Sequence, residues 1–180
     1  MAAMLKLAIL GFLRDHPLHG YDLKTRIAAL IGHVKPIPDG TLYPAIKKLE
    51  TAGCLTRRSA PGKIAAPRHM LELTQTGIDY LRRLLRDPED VFITDDNRWF
   101  TILAFLRHLD NPREQAIVLR RRREFLSEPT PFFFDAAGRP AGADDFDADP
   151  FRKGMLSIAH AAVNTEFAWL DSTIGQLERH

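Results

Sequence analysis

The residues in this chain whose types and spacing suit chemistry lie in "GTLYPAIKK", Gly40 to Lys48. Thr41, Tyr43, Lys47 and Lys48 put a hydroxyl, an aromatic ring and two cations within eight residues. A nucleic-acid duplex offers dense phosphate charge and base edges in its major groove. A helix that binds it therefore needs cations for the backbone and short or planar side chains that reach between phosphates. These four residues supply both kinds. Adjacent lysines on a helix more often only solvate an exposed face, so the pair acquires meaning from its surroundings. From Met1 to Arg86 there are 14 Lys and Arg against 6 Asp and Glu; from Asp87 to His180 there are 11 against 17, within a total of +2. The first half is basic and the second acidic, which implies different partners for each.

Other chemistries lack their residues. No glycine-rich phosphate loop, no paired histidines at zinc spacing and no Ser, His, Asp arrangement in a convincing context is present, so neither an enzyme nor a metal or cofactor site is expected. "HPLH", His16 to His19, is broken by a proline, which argues against metal ligation. Cys54 is the only cysteine and sits in an apolar pattern, so it reads as a core thiol. The apolar run Leu7 to Leu13 ends at Arg14 and Asp15, too short for a signal or a membrane span. With 45% hydrophobic residues, the chain is expected to be globular, cytoplasmic and without a membrane partner.

The elements that must position the basic face follow from periodicity. Leu5 to Leu13 reads as a first helix apolar nearly all round, closed by Pro17 and Gly20. Leu23, Ile27, Leu30 and Ile31 mark a second, amphipathic helix. Leu42, Ala45, Ile46, Leu49 and Ala52 mark a third that stops at Gly53. A rotation of about 100° per residue places Tyr43, Pro44, Lys47, Lys48 and Thr51 opposite that stripe. Pro44 suits only a first helical turn, so the third helix starts either at Asp39 or near Tyr43. "LTRR" and "RHMLELT" alternate as a β-hairpin, joined by a projecting loop, Ser59 to Pro67, that carries Lys63 at its tip. Thr74 to Leu85 forms a fourth helix, and "RDPEDVFITDD", Arg86 to Asp96, reads as a short connector. These boundaries give one domain over 1–86 and a second over 90–180.

Helix, helix, turn, helix and hairpin is the order of a winged helix-turn-helix. The motifs "LAILGFL", "PLHGYDL", "DGTLYPAIKKLETAGCL" and "PRHMLELTQTG" follow one another over about the first 80 residues. In these the chain resembles the PadR family of bacterial transcriptional regulators. The resemblance implies a mainly α fold with a small β-hairpin, in which an N-terminal winged helix-turn-helix binds double-stranded DNA and a C-terminal helical domain dimerises. It implies a sequence-specific regulator, a repressor on a palindromic operator. A winged helix used for protein contacts and a small enzyme of unrecognised type are the alternatives. Thr41, Tyr43, Lys47 and Lys48 would face DNA, with Lys63 and Arg68 reaching from the wing. Tyr21 reads equally as a phosphate contact or a core tyrosine. The wing departs from the family pattern: Ala65 and Ala66 precede Pro67, and His69, Met70 and Leu71 stand where a tyrosine pair is usual.

In the acidic half, Trp99 to Leu109 is strongly apolar and "NPRE", Asn111 to Glu114, starts another helix with a capping asparagine and a first-turn proline. Arg120 to Arg123 sweep around that helix and read as solvated or salt-bridged, because four consecutive helical residues cannot share a face. Phe132, Phe133 and Phe134 lie in a long loop rich in Pro, Gly and Asp. In the last helix Leu156, Val163, Leu170 and Leu177 repeat every seven residues, interleaved by His160, Phe167 and Ile174. Packing within one subunit gives the same stripe, but half-site reading favours a homodimer seam. The aromatics Trp99, Phe100 and Trp169 suggest a cavity for a small aromatic effector that weakens DNA binding, against the plainer reading that they fill a core.

Overall fold

The computed structural model describes residues 2–31, 37–59, 69–128 and 149–179. Eight α-helices and three strands run in the order α1 (Ala2–Asp15), β1 (Leu18–His19), α2 (Gly20–Ile31), α3 (Asp39–Thr51), β2 (Leu55–Ser59), β3 (His69–Leu73), α4 (Gln75–Arg86), α5 (Asp90–Thr94), α6 (Asp96–Phe105), α7 (Pro112–Ser127) and α8 (Pro150–Leu177) among the described residues. The chain divides into two compact units, Met1–Gln115 and Ala116–His180.

α1 is the central helix of the first unit. Leu5, Leu7, Ala8, Ile9, Leu10 and Leu13 are all buried, and each of the larger side chains contributes about 1.5–3 kcal/mol by leaving water. α2, α3, α4, α6 and β3 pack around it. Leu23 and Ile27 of α2, Leu42, Ile46 and Leu49 of α3, and Leu81 and Leu85 of α4 close the core from their sides. The amphipathic periodicities thus identify the buried stripes, and the fold is the expected winged helix.

The hairpin carries a third strand. β3 pairs antiparallel with β2, Leu55 opposite Leu73 and Arg58 opposite Met70, and on its other edge with β1, Leu18 opposite Leu71. β1 has two residues, too few for any period to show. α4 starts where the Thr74 hydroxyl accepts the Gly77 amide at 3.1 Å and donates to the Gly53 carbonyl at 2.6 Å. Gly77 packs directly on the backbone of Cys54: a β-carbon there would overlap the Cys54 carbonyl oxygen. Cys54 is buried, as a core thiol should be.

The first unit continues well past the boundary expected at 86–90. Arg86–Asp96 is not a plain connector, because it contains α5, whose Phe92 and Ile93 are buried. Trp99, Ile102 and Phe105 of α6 are buried too. Phe105 meets Phe12 edge to face at 5.0 Å, and a β-carbon on Gly11 would overlap its ring, so a glycine on α1 lets α6 lie close. Arg107 donates to Asp15 at 2.6 Å and Arg86 to Glu114 at 2.8 Å; Arg82 pairs with Asp110. The apolar face of α6 therefore completes the core around α1.

α7, whose first turn still belongs to the first unit, is capped by Asn111, which accepts the Arg113 amide at 2.9 Å; in the second unit α8 is capped by Asp149, which accepts the amides of Phe151 and Arg152 with Pro150 in the first turn. Arg122, only 2% exposed, forms a two-point pair with Glu166 at 2.9 and 3.0 Å. Arg123 pairs with Asp171 and lies 5.7 Å from the Phe167 ring, and Arg120 pairs with Glu178. Of the arginine run, read as solvated or salt-bridged, Arg120, Arg122 and Arg123 are salt-bridged to α8 and its end. The segment containing Phe132 to Phe134, and the acidic residues Asp144, Asp145 and Asp147, lie outside the described residues.

Candidate nucleic-acid interface

α3 begins at Asp39, the earlier of the two starts that Pro44 left open. The turn closes with the amides of Thr41 and Leu42 on the Pro38 carbonyl at 2.9 and 3.2 Å. Pro44 sits in the sixth position and has no N–H to return to the Gly40 carbonyl. The helix tolerates this because Leu42, Ile46 and Leu49 are anchored in the core at 0–3% exposure.

That anchoring turns the opposite face outward. Thr41, Tyr43, Lys47 and Lys48 are all exposed. The Tyr43 ring lies over the start of α2, where a β-carbon on Gly20 would stand 3.2 Å from it. Tyr21 is 75% exposed, which removes it from the core and sets a second aromatic at the head of α2. Lys63 and Arg68 fall outside the described residues.

Electrostatics divide the cations near this face. Lys24 of α2 donates to Asp39 in the first turn of α3 at 2.7 Å, and this bond holds its ammonium charged above the ordinary lysine range. Arg57 of β2 makes a two-point pair with Glu50, which raises its pKa. Arg58 sits 3.3 Å from Glu72. These pairs neutralise carboxylates that would repel a polyanion. Lys47 and Lys48 have no carboxylate partner among the described residues, so their charge stays available. An exposed helix with two unpaired ammonium groups, a hydroxyl and an aromatic can meet phosphate oxygens and base edges together.

The dimerisation residues separate into two sets. Leu170 and Ile174 are buried within the chain at 0% and 8% exposure; Leu156, Val163, Phe167 and Leu177 are half-buried and His160 is exposed. The expected heptad is therefore committed in part to the chain's own interior at its C-terminal end. Phe151, Met155, Ile158, Ala162, Thr165 and Trp169 form a second stripe with spacing of four and three, and every member is exposed. Its first members are conspicuous, Phe151 at 86% and Ile158 at 74%. Alternation of small and polar residues along this stripe hid it beside the leucine-rich one.

The aromatic cavity is corrected in part. Trp99 is wholly enclosed in the first unit, while the adjacent Phe100 is 56% exposed, so the two do not form the walls of one pocket. Trp169 in the second unit is 44% exposed. Among the described residues no group of three His, Cys, Asp or Glu is placed to hold a metal ion, and no helix is long and apolar enough to cross a membrane.

Residues 9–83 match the model of the transcriptional regulator PadR-like family. The negative transcriptional regulator PadR of Bacillus subtilis (strain 168) is 34% identical over 92 residues, covering 49% of this chain and 50% of that protein. This chain thus spans about half the length of the curated relative it matches. Among solved structures, smu.1704 of Streptococcus mutans UA159 aligns at 29% identity with a TM-score of 0.45, over 53% of this chain and 86% of that one. Bacillus subtilis PadR in complex with operator DNA aligns at 24% identity with a TM-score of 0.42, over 96% and 98%. Through its N-terminal winged-helix segment, residues 9–83, the chain is similar to the PadR-like family of transcriptional regulators.

Proposed function

We propose that this chain is a sequence-specific DNA-binding repressor that acts in the cytoplasm as a homodimer on a palindromic operator. The observation that carries the reading is the outer face of α3: Thr41, Tyr43, Lys47 and Lys48 are exposed together, and among the described residues the two lysines lack the carboxylate partners that Lys24 and Arg57 have. Residues contacting bases are Thr41 and Tyr43; Lys47 and Lys48 grip phosphate, Tyr21 adds a contact from α2, and Lys63 and Arg68 complete the grip from the wing. Similarity to the PadR-like family over residues 9–83 and to a negative transcriptional regulator supports repression. A binding protein rather than an enzyme fits this site, which offers cations and rings without an acid–base pair.

Two copies are needed to read a palindrome, with α3 helices about 34 Å apart on one face of the duplex. The exposed stripe of α8 from Phe151 to Trp169 supports that pairing better than Leu170 and Ile174, which the chain buries itself. A footprint on DNA flanking the protein's own gene tests the reading. Two protected half-sites one helical turn apart are expected, and no protection at low salt contradicts it. Release by a small aromatic effector belongs to the same reading, with Trp169 as an exposed ring such a ligand would meet. A tenfold loss of DNA affinity requires about 1.4 kcal/mol of differential binding. Quenching of Trp169 by a panel of phenolic compounds, together with a shifted DNA curve, is the expected result, and absence of both removes the effector.

A further inference from the structure

An open groove of the first unit runs along α3, bounded by α1 and α4, with a volume of about 880 Å³. It exists because α3 turns small residues toward its neighbours. Ala45 and Ala52 line it, and no atom stands within 4 Å of where a β-carbon on Gly40 would be. Pro44, Leu49 and Cys54 make the floor apolar. From Gly40 to Ala52 the helix rises by about 18 Å, so the groove is long.

Its rim is cationic. Lys6 donates to the Tyr80 hydroxyl at 3.0 Å, and the Arg83 guanidinium lies 4.9 Å from the Tyr80 ring centre. Lys48 stands on the opposite wall. None of these three cations pairs with a carboxylate among the described residues, and the one acid in the lining, Asp79, accepts from Gln75 at 2.9 Å. An apolar trough whose net charge is positive favours an anion with an apolar body and repels the corresponding cation. Length favours a linear body over a compact ring.

From this geometry we infer that the α1–α3–α4 groove binds a linear acyl carboxylate, its chain along Pro44, Ala45 and Leu49 and its head group held by Lys6 and Arg83. Thr41 and Lys48 belong both to the groove wall and to the proposed DNA face. Ligand and DNA therefore compete for them, and each weakens the other by the same factor. Only this consequence rests on the proposed DNA binding; the ligand site itself does not.

Calorimetry of the full chain with dodecanoate below its micelle concentration tests the site. Dodecyltrimethylammonium, with the same tail and the opposite charge, and benzoate, with the same head and a short aryl body, serve as comparisons. One dodecanoate per chain is expected, with both comparisons bound at least about tenfold more weakly. Arg83→Glu should weaken dodecanoate by about tenfold or more through loss of a charge-assisted contact. Its helical circular dichroism should stay unchanged, because the Arg83 side chain is exposed. Failure to saturate, equal affinity of Arg83→Glu, or equal binding of the ammonium overturns the proposal, and tight benzoate binding overturns the choice of a linear chain. Dodecanoate that binds a protein with no affinity for its operator overturns the DNA reading alone.

Discussion

Ile158→Asp separates the two stripes of α8. Ile158 is 74% exposed in the single chain, and burying such a side chain contributes about 1.5–3 kcal/mol. In a two-fold seam the residue counts once per protomer, so its loss withdraws about 4 kcal/mol. That corresponds to roughly a thousandfold in the dimer dissociation constant. A carboxylate placed in an apolar seam adds desolvation to the same sign. Because the position is exposed in one chain, the helix itself should survive. Sedimentation equilibrium across a dilution series reads the assembly and circular dichroism reads the helix. Expected are a wild-type mass of two 20.4 kDa chains and a variant that dissociates with its helicity intact. Leu170→Asp, at a position 0% exposed, should instead lower the melting temperature. A monomeric wild type, or an Ile158→Asp protein that remains dimeric at the lowest concentration, refutes the assignment of this stripe.

Gly77→Ala should destabilise the first unit by about 1–3 kcal/mol, the usual cost of overpacking, since the new methyl meets a backbone carbonyl rather than a movable side chain; a urea melt that matches wild type contradicts the packing of α4 on Cys54. Burial lowers the pKa of His108 below its ordinary 6.5, while Asp15 at 3.1 Å opposes this. A depressed folded pKa means stability that is present above 6.5 and lost as pH falls through the folded value. His108→Leu should therefore lose less stability than wild type on acidification below that pH, and parallel stability–pH curves for the two proteins dispose of the idea.

Much of the first unit was legible because its helices are strongly amphipathic. Leu42, Ile46 and Leu49 identify the buried side of α3 and, by rotation, the outward side that carries Lys47 and Lys48. Pro44 obscured the start of α3, since local preference places proline early, whereas three buried neighbours hold it in the sixth position. Periodicity reports that a face is apolar without reporting what covers it. For that reason α6 read as part of the second domain, while the Phe105 ring over Gly11 ties it to α1. The same limit explains α8, where two heptad stripes share one helix and the richer one is partly internal. Long-range ion pairs such as Arg122–Glu166 are 44 residues apart and have no local signature. The groove beside α3 was invisible for a related reason: it is made by small residues on one element facing cations on two others.

The most direct test of the account is the salt dependence of operator affinity for the wild type and for Lys47→Ala with Lys48→Ala, followed by fluorescence anisotropy. Each lysine that neutralises a phosphate releases counterions, so the wild type should show a steep negative slope of log affinity against log salt. The double variant should lose specific binding and flatten the slope by about one for each lysine, with its circular dichroism unchanged. Equal affinity and equal slope in the two proteins would contradict the claim that the outer face of α3 holds DNA.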